Sequence, residues 1–292
     1  MKQFINWLKV SEDIKNIQSN AVNIRKGVDS LNLDRHFENV RKWLSPPDTS
    51  TNLNEARRKR QEGTGSWFLQ SEQFKEWKSG ANRYLWLHGI PGCGKTVLSA
   101  TIIEHLKQQR DSSHVVLDFF FDFTDTDKQT HDKLVRSLVE QLYSRCENSR
   151  KELDKLFSRC EDGNKQPGFE SLSSTFLQMV QCVGKVQIII DALDECTTRP
   201  DLLQLLENLA SSRHAGLQLI LTSRKEESIE AGLRCWLHQD NLVPIQQAPV
   251  NHDIREYVRR RLQNDKGFER WNSQPSVKDE IETELMKKAD GM

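Results

Sequence analysis

A short glycine-rich stretch carries the most specific chemistry in this sequence of 292 residues. Residues 88–96 read HGIPGCGKT and lie between the apolar run 84–87 and a helix-like run at 97–109. Two glycines, a lysine and a threonine with this spacing fit the phosphate-binding loop, in which backbone amides surround an anion, the lysine contacts phosphate and the threonine hydroxyl binds Mg²⁺. A fortuitous glycine turn is the alternative, but a strand before the loop and a helix after it favour a phosphate site. The predicted phosphate-binding residues are Gly89, Ile90, Pro91, Gly92, Cys93, Gly94, Lys95, Thr96 and Val97.

Charged residues follow two further apolar runs. Asp191, Asp194 and Glu195 come after residues 188–190, and Arg224 comes after another apolar run. Ligands of open parallel sheets bind at the carboxyl ends of the strands, so we expect these side chains to meet the loop.

Each of these side chains has a predicted role. Asp191 is predicted to hold Mg²⁺ opposite Thr96, because this cation prefers oxygen ligands. Asp194 or Glu195 is predicted to orient or deprotonate the attacking water, and Arg224 to contact the γ-phosphate. The alternatives are an acidic helix start for the carboxylates and a surface position for the arginine.

This chemistry requires parallel strands that deliver the residues to one edge of a sheet. Apolar runs that predict strands occur at 84–87, 115–123, 186–195 and 217–224, with a weak fifth run at 241–247. Helical patterns lie between them. Strands that alternate with helices predict an α/β fold, here a three-layer sandwich with a mostly parallel five-stranded sheet.

The sequence divides into four predicted parts. They are an N-terminal helical segment (1–44), a linker (45–62), a phosphate-binding core (63–248) and the start of a helical lid (249–292). The linker follows the N-terminal helix because Pro46 and Pro47 cannot extend a helix. The core begins with an amphipathic helix that carries Phe68, Phe74 and Trp77 on one side.

A heptad seam runs along the N-terminal segment. Apolar side chains recur in alternating steps of three and four at Trp7, Val10, Ile14, Ile17, Ala21, Ile24, Val28 and Leu31. In one interpretation this seam packs on a bundle or on the next domain; in the other it self-associates or binds a signalling partner. The seam lacks a flanking ladder of charges and Gly27 weakens the helix, which favours the first interpretation.

The charge balance argues against a nucleic acid partner. The 42 basic and 42 acidic residues cancel, so the chain has no global attraction to nucleic acid or to an anionic membrane. The basic run 57–60 fits a nuclear import signal or a phosphate patch, but the flanking Glu55 and Glu62 favour a solvated helix face. No apolar run approaches the length of a membrane span, and the six cysteines form no CxxC pair. We therefore expect reduced thiols and a cytoplasmic location.

Several motifs together resemble a known family. The loop GIPGCGKT (89–96), IIIDALDE (188–195) and LILTSR (219–224) resemble the NACHT-type domains of STAND NTPases, the ATPases of NOD-like receptors. Three segments are most similar to the fungal, nephrocystin-type branch of this family: WLSPPDTSTN, EGTGSWFL and LWLHGIPGCGKT. The resemblance covers residues 40–292 and implies a P-loop NTPase fold of the ASCE, AAA-like class.

The resemblance implies a slow switch that uses ATP or ADP with Mg²⁺. Ala192 stands directly after Asp191, where most related ATPases have a glutamate, and the acid pair follows shortly afterwards. Family members hold ADP in a closed monomer and exchange it for ATP to oligomerise, which brings N-terminal effector segments together. Their biological role is nonself recognition or cell-death signalling. The turn that contains Gly65 and Trp67 occupies the place where relatives contact the adenine ring.

The sequence also departs from the full receptor pattern. It has no winged-helix segment and no sensor repeats, and we expect it to stop soon after the lid begins, as a short form or as a fragment. Two other functions stay open on the sequence. One is a nucleotide-stabilised scaffold that oligomerises through its N-terminal helix; the other is a remodelling ATPase, against which Ala192 argues.

Overall fold

Five parallel strands and their flanking helices form the fold. The computed structural model describes residues 2–61, 63–109, 114–212, 214–245, 247–271 and 274–289. The strands are β1 (Tyr84–His88), β2 (His114–Phe120), β3 (Lys185–Asp191), β4 (Leu217–Ser223) and β5 (Leu242–Pro244). The helices up to β2 are α1 (Lys2–Leu44), α2 (Ser50–Lys59), α3 (Ser66–Leu69), α4 (Glu72–Ser79) and α5 (Lys95–Gln108). Those after it are α6 (His131–Arg145), α7 (Glu147–Arg159), α8 (Phe169–Gln181), α9 (Arg199–Ala210), α10 (Glu227–Arg234), α11 (Gln247–Asn264) and α12 (Pro275–Ala289).

The sheet has the strand order β2-β3-β4-β1-β5, and every pairing between neighbouring strands is parallel. All seven residues of β4 are buried, as expected when helices cover both faces of a parallel sheet. The predicted α/β fold with a five-stranded sheet is confirmed. The strands β2 and β3 end earlier than predicted, at Phe120 and Asp191, because the chain turns out of the sheet there.

Strand order decides which residues meet at the carboxyl edge. β4 lies between β1 and β3, with Ser223 opposite His88 and Leu221 opposite Ile190. The chain therefore leaves β1 and β3 on either side of the end of β4. This arrangement brings segments that are about a hundred residues apart in sequence to one edge of the sheet.

The hydrophobic core joins the sheet to the helices that precede it. Phe68, Phe74 and Trp77 are buried, but they lie on two short helices and not on the one that was predicted: Phe68 lies on α3, and Phe74 and Trp77 lie on α4. Leu53 and Ala56 of α2 are buried in the same cluster. The segment predicted as a linker therefore contains a helix that packs on the core, because its two apolar residues lie three positions apart on one helical face.

The chain separates into two compact units, Met1–Ser45 with Phe157–Gln166, and Pro46–Leu156 with Pro167–Met292. Within the first unit, the indole nitrogen of Trp43 donates to the Lys165 carbonyl oxygen at 2.7 Å. The Trp43 ring meets the edge of Phe157 with their centroids 5.2 Å apart. These contacts hold the end of α1 against the 157–166 segment. The second unit contains the sheet and all the predicted site residues.

The heptad seam of α1 is exposed wherever its side chains are described, over residues 20–28 and 31–44. Ile24, Val28 and Leu31 expose 68%, 49% and 69% of their surface. The earlier seam positions, Trp7 to Ile17, lie outside the residues whose side chains are described. The predicted helix is present, but in the described part its apolar seam is not buried.

Two further features bear on the sequence predictions. Among the described residues, no helix is both long and apolar enough to cross a bilayer. All six cysteines are free thiols.

Candidate nucleotide site

The predicted phosphate-binding loop begins where β1 ends and runs into α5. Gly92 and Gly94 adopt left-handed backbone conformations, with φ of 79° and 86°. A Cβ atom added to either would meet nothing within 4 Å, so the space beside their α-carbons is open. At Gly89, in contrast, a Cβ would lie 2.6 Å from the Cys93 sulfur. Glycine is therefore needed for backbone conformation at two positions and for close packing at the third.

Lys95 lies across this loop. Its Nζ donates to the carbonyl oxygens of Gly89 at 2.9 Å and Ile90 at 2.8 Å. Lys95 is also the first residue of α5, so its ammonium and the positive end of the helix act on the same place. The open space, the free helix start and the cation together fit an anion such as the phosphate groups of a nucleotide.

Asp191 lies at the end of β3 and is 2% exposed. One carboxylate oxygen accepts from the Thr96 hydroxyl at 2.7 Å, and the other accepts from Ser99 and Thr222, both at 2.6 Å. Burial raises the pKa of this carboxyl, and the three hydroxyl donors oppose that shift. The hydroxyl of Thr96 and the carboxylate form a set of hard oxygen donors beside the loop, which fits Mg²⁺.

Ser99 is a member of this site that the sequence reasoning missed. It lies three positions after Thr96 on α5, so both hydroxyls occupy the same helical face. That spacing was the signal that could have identified it.

Asp194 does not line the cavity that contains Thr96 and Asp191. Its buried carboxylate accepts from the backbone amide of Arg224 at 2.9 Å and from the Arg224 Nε at 2.5 Å. Both oxygens are used in this paired interaction, while the Arg224 side chain stays 48% exposed. Asp194 therefore positions Arg224, and its carboxylate does not face the loop.

Glu195, the neighbouring acid, points the other way. It lines a cavity of about 270 Å³ with Thr96, Asp191 and Ala192. Its Oε2 accepts from the Phe123 amide at 2.9 Å, and burial raises the pKa of the carboxyl. A partly buried carboxylate with a raised pKa is suited to general-base chemistry. Of the two acids that the sequence left as alternatives, Glu195 has this placement.

The backbone at Ala192 explains how the two acids diverge. Ala192 has a left-handed φ of 60°, which is rare for a residue with a side chain, and its amide donates to the Thr222 hydroxyl at 3.0 Å. One turn of 3₁₀ helix, Leu193–Glu195, follows. The sharp turn sends successive side chains toward opposite sides.

A polar network holds the loop that contacts Glu195. The Asn52 amide of α2 donates to Asp122 at 2.8 Å, and the buried Lys128 ammonium donates to Asn52 at 2.6 Å and to Thr51 at 2.7 Å. Lys128 also lies 3.1 Å from the Asp125 carboxylate. The loop whose Phe123 amide binds Glu195 is therefore tied to α2. Sequence reasoning missed this network, because its members come from separate segments and carry no motif.

A larger cavity of about 420 Å³ adjoins the loop. Its lining residues come from the end of α2 and the 61–67 segment, from the loop and the start of α5, from the residue after β5, and from α11. They are Lys59, Gln61, Thr64, Gly65, Trp67, Gly92, Cys93, Gly94, Val97, Leu98, Ile245, Asp253, Ile254 and Tyr257. The Gly65 amide donates to the Asp253 carboxylate at 2.8 Å. The volume lies within the usual range for small-ligand sites. Gly65 and Trp67 thus share a cavity with the phosphate loop, whereas Asp253 and Tyr257 of α11 were not foreseen.

The family model described as Nephrocystin 3, N-terminal, matches residues 63–224. The chain belongs to this nephrocystin 3 N-terminal family. This finding confirms the resemblance inferred from the motifs. The matched region begins at the turn that contains Gly65 and ends at Arg224, so it includes every predicted site residue.

Two similar proteins extend the comparison. The vegetative incompatibility protein HET-E-1 of Podospora anserina is 30% identical over 207 residues, which cover 67% of this chain. That match spans only 15% of the length of HET-E-1. The solved structure titled "Structure of C. elegans PCH-2" is 15% identical, with a TM-score of 0.30, and covers 74% of this chain and 46% of that chain. A likeness at that level supports no conclusion about this family member.

Within the nephrocystin 3 N-terminal family match, the site combines the loop, the β3 acids and the end of β4. α11 lies outside the matched residues. Its contribution to the larger cavity is therefore a feature of this chain that the family match does not cover.

Proposed function

We propose that this chain is the nucleotide-dependent switch of a signalling protein, binding ATP or ADP with Mg²⁺. The observation that carries the proposal is the meeting of the open glycine loop with buried Asp191, which accepts a hydrogen bond from Thr96 at 2.7 Å. A phosphate cradle and a hard-cation donor set at one sheet edge are what a nucleotide with Mg²⁺ requires.

Each side chain then has a role that follows from its position. The loop amides and Lys95 bind phosphate, and Thr96 with Asp191 holds Mg²⁺. The bound cation supplies charge neutralisation of the phosphates. Glu195 takes the proton of the attacking water, because it lines the same cavity as Asp191. Arg224, held by Asp194, is available to sense the outermost phosphate.

The larger cavity is the place for the nucleoside. Trp67 is an aromatic residue that lines it, and the Gly65 amide donates to Asp253. We further propose that α11 and α12 begin a lid, since α11 lines this cavity opposite the loop. The division of the chain into an N-terminal helical segment (1–44), a linker (45–62) that contains α2, a core (63–248) and a lid segment (249–292) is part of this proposal.

Hydrolysis is proposed to be slow and to time the signal. Residue 192 is an alanine, so no carboxylate stands directly after the Mg²⁺-binding aspartate. Glu195 is placed on a strained turn instead. The related HET-E-1 is named a vegetative incompatibility protein, which supports a role in nonself recognition or cell death.

Self-association through α1 is the proposed output of the switch, with a second copy of this chain as the partner. The exposed apolar seam of Ile24, Val28 and Leu31 has the heptad spacing of a coiled coil. Replacing Ile24 and Leu31 with aspartate should abolish ATP-dependent assembly measured by light scattering. The charge-matched control, Asn20→Asp with Asn23→Asp, should assemble normally. Equal assembly of the two variants would remove α1 from the interface.

Nucleotide titration of Lys95→Ala tests the core of the proposal. We expect the affinity for ATP and ADP to fall roughly 10- to 100-fold, since a charge-assisted phosphate contact contributes about 1.5–3 kcal/mol. The control Lys75→Ala removes an exposed cation on α4 and should leave affinity unchanged. Unchanged affinity in Lys95→Ala would refute the proposal.

A second measurement separates a switch from a permanently loaded scaffold. Glu195→Gln should trap ATP and promote assembly if hydrolysis resets the protein. No change in bound nucleotide or in assembly would favour the scaffold.

A further inference from the structure

A second cleft, lined mainly by cations, lies beside the candidate nucleotide cavity. Its volume is about 290 Å³, and its lining residues are Arg58, Lys59, Arg60, Gln61, Tyr257, Arg260, Arg261, Asn264 and Asp265. Five of these nine residues are basic and one is acidic. We refer to this site as the basic cleft.

The basic cleft joins two segments that are far apart in sequence. Arg58, Lys59 and Arg60 come from the end of α2, and Arg260 and Arg261 come from the end of α11. From the sequence alone, a solvated helix face was the favoured interpretation of the basic run 57–60. A cleft between two elements is different, because cations that converge from both sides repel one another unless an anion lies between them.

Two of the existing ion pairs are weak enough to be exchanged, whereas Arg60 pairs with the partly buried Glu104. Lys59 pairs with Glu55 and Arg260 with Glu256, and all four side chains are more than a third exposed. Pairs of this kind contribute at most about 1 kcal/mol each. An incoming anion with several charges can therefore replace these carboxylates at little cost.

Two of the cations can form further ion pairs or hydrogen bonds. Arg58 has no ion-pair partner among the residues that the structure describes. The Nε of Arg60 is buried and has no hydrogen-bond partner in the same described part. A buried donor without a partner is costly, so an acceptor that reached this nitrogen would stabilise the site.

We propose that the basic cleft binds a compact anion with several phosphate groups, of the inositol polyphosphate type. Guanidinium groups match phosphate oxygens in a bidentate geometry, and four of the five cations are arginines. Tyr257 and Asn264 add neutral hydrogen-bond donors. The small volume of the cleft, about 290 Å³, and the zero net charge of the chain favour a small anion over a nucleic acid backbone, which needs an extended basic surface.

The same phosphates occur on a soluble molecule or on a lipid headgroup, and both fit the cleft. The basic cleft shares Lys59, Gln61 and Tyr257 with the nucleotide cavity. A ligand in one site therefore changes groups that line the other, and we expect the two affinities to be coupled reciprocally.

Calorimetric titration of the full chain with inositol hexakisphosphate tests the proposal. We expect binding in the wild type and affinity weakened at least roughly tenfold in Arg58→Glu/Arg260→Glu, because each lost charged contact contributes about 1.5 kcal/mol. The control Lys75→Glu/Lys287→Glu makes the same charge change at two exposed lysines and should bind within about twofold of wild type. The milder variant Arg58→Gln, with an unchanged melting temperature, keeps the test valid if the double variant unfolds.

Three outcomes would overturn the proposal. The first is that inositol hexakisphosphate does not bind the wild type, and the second is that the control variant loses as much affinity as the cleft variant. The third is that Lys95→Ala loses binding while the cleft variant keeps it, which would place the ligand in the phosphate loop. Retained binding in Lys95→Ala supports the basic cleft even if the proposed nucleotide function fails. Sedimentation with phosphatidylcholine vesicles, with and without a phosphoinositide, identifies the source: capture that depends on the cleft arginines supports the headgroup, and binding of the soluble compound alone supports the free anion.

Discussion

Loss of charge at each of the two adjacent acids after β3 should affect a different property of the protein. Asp194→Asn disturbs a buried carboxylate that accepts two hydrogen bonds from Arg224. Glu195→Gln changes a carboxylate that lines the cavity beside Asp191 and accepts one hydrogen bond from a backbone amide. We expect the first variant to lose stability and the second to lose hydrolysis.

The structure sets the size of each effect. Asparagine keeps one acceptor oxygen, so Asp194→Asn loses one of the two hydrogen bonds to Arg224. A hydrogen bond to a charged group contributes about 1.5–3 kcal/mol, and water compensates partly because Arg224 is half exposed, which leaves a loss of about 1–2 kcal/mol in the free energy of unfolding. The melting temperature should then fall by about 2–8 °C.

Glu195→Gln should leave the free energy of unfolding within about 0.5 kcal/mol, since the glutamine carbonyl still accepts from the Phe123 amide. Removal of a general base should slow hydrolysis by about 100-fold or more. Because burial raises the pKa of Glu195, wild-type hydrolysis should decline with falling pH before the ordinary carboxyl value of 4.5 is reached. That dependence should be absent from Glu195→Gln.

Chemical denaturation and single-turnover ATP hydrolysis, measured on both variants, decide between the two roles. Asp194→Asn should be destabilised and retain hydrolysis within about tenfold of wild type. A wild-type hydrolysis rate in Glu195→Gln, combined with a stable but inactive Asp194→Asn, would refute the assignment.

Three further predictions concern the surroundings of the site. Asn52→Leu removes the hydrogen bond from α2 to Asp122 in the loop that contacts Glu195, and should slow hydrolysis without changing nucleotide affinity. The control Asn54→Leu, at an exposed position of the same helix, should change neither the hydrolysis rate nor the affinity. Trp67→Ala should weaken ATP and ADP binding about tenfold, since stacking on a base contributes about 1–3 kcal/mol, while the affinity for inorganic tripolyphosphate measured by calorimetry stays constant. Burial and the nearby Lys78 lower the pKa of His105, so its neutral form stabilises the fold and this contribution is lost as the pH falls below the ordinary value of 6.5. Acidification from about pH 7.5 to about pH 5.5 should therefore reduce the free energy of unfolding more in wild type than in His105→Gln, and equal reductions would contradict this reasoning.

Much of the fold followed from local patterns. Apolar runs of four to ten residues between helical patterns identified the five strands of the described residues, and the glycine spacing located the loop between β1 and α5. The residues at which the strands end did not follow from these patterns, because apolar residues such as Phe121 and Phe123 continue beyond β2. Phe121 is buried outside the strand, so hydrophobicity alone does not mark where the sheet stops.

The predicted linker shows the same limit. Two prolines correctly indicated the end of α1, but the next residues fold into α2 and bury Leu53 and Ala56. Only two buried apolar residues mark this helix, and its polar, arginine-rich sequence resembles a solvated segment. Packing on the core, which sequence spacing does not report, stabilises it.

The sequence by itself determined the glycine-rich loop between β1 and α5, the strand that ends in Asp191 and the family, since these depend on residues that are neighbours along the chain. Only the tertiary structure separated the roles of Asp194 and Glu195, which have nearly the same sequence surroundings. Their difference arises from the left-handed turn at Ala192 and from β4 lying beside β3, which brings Arg224 to one acid and leaves the other facing the cavity. Burial and partners decide what a carboxylate can do, and both are set by strand order and backbone direction, which sequence spacing alone does not encode.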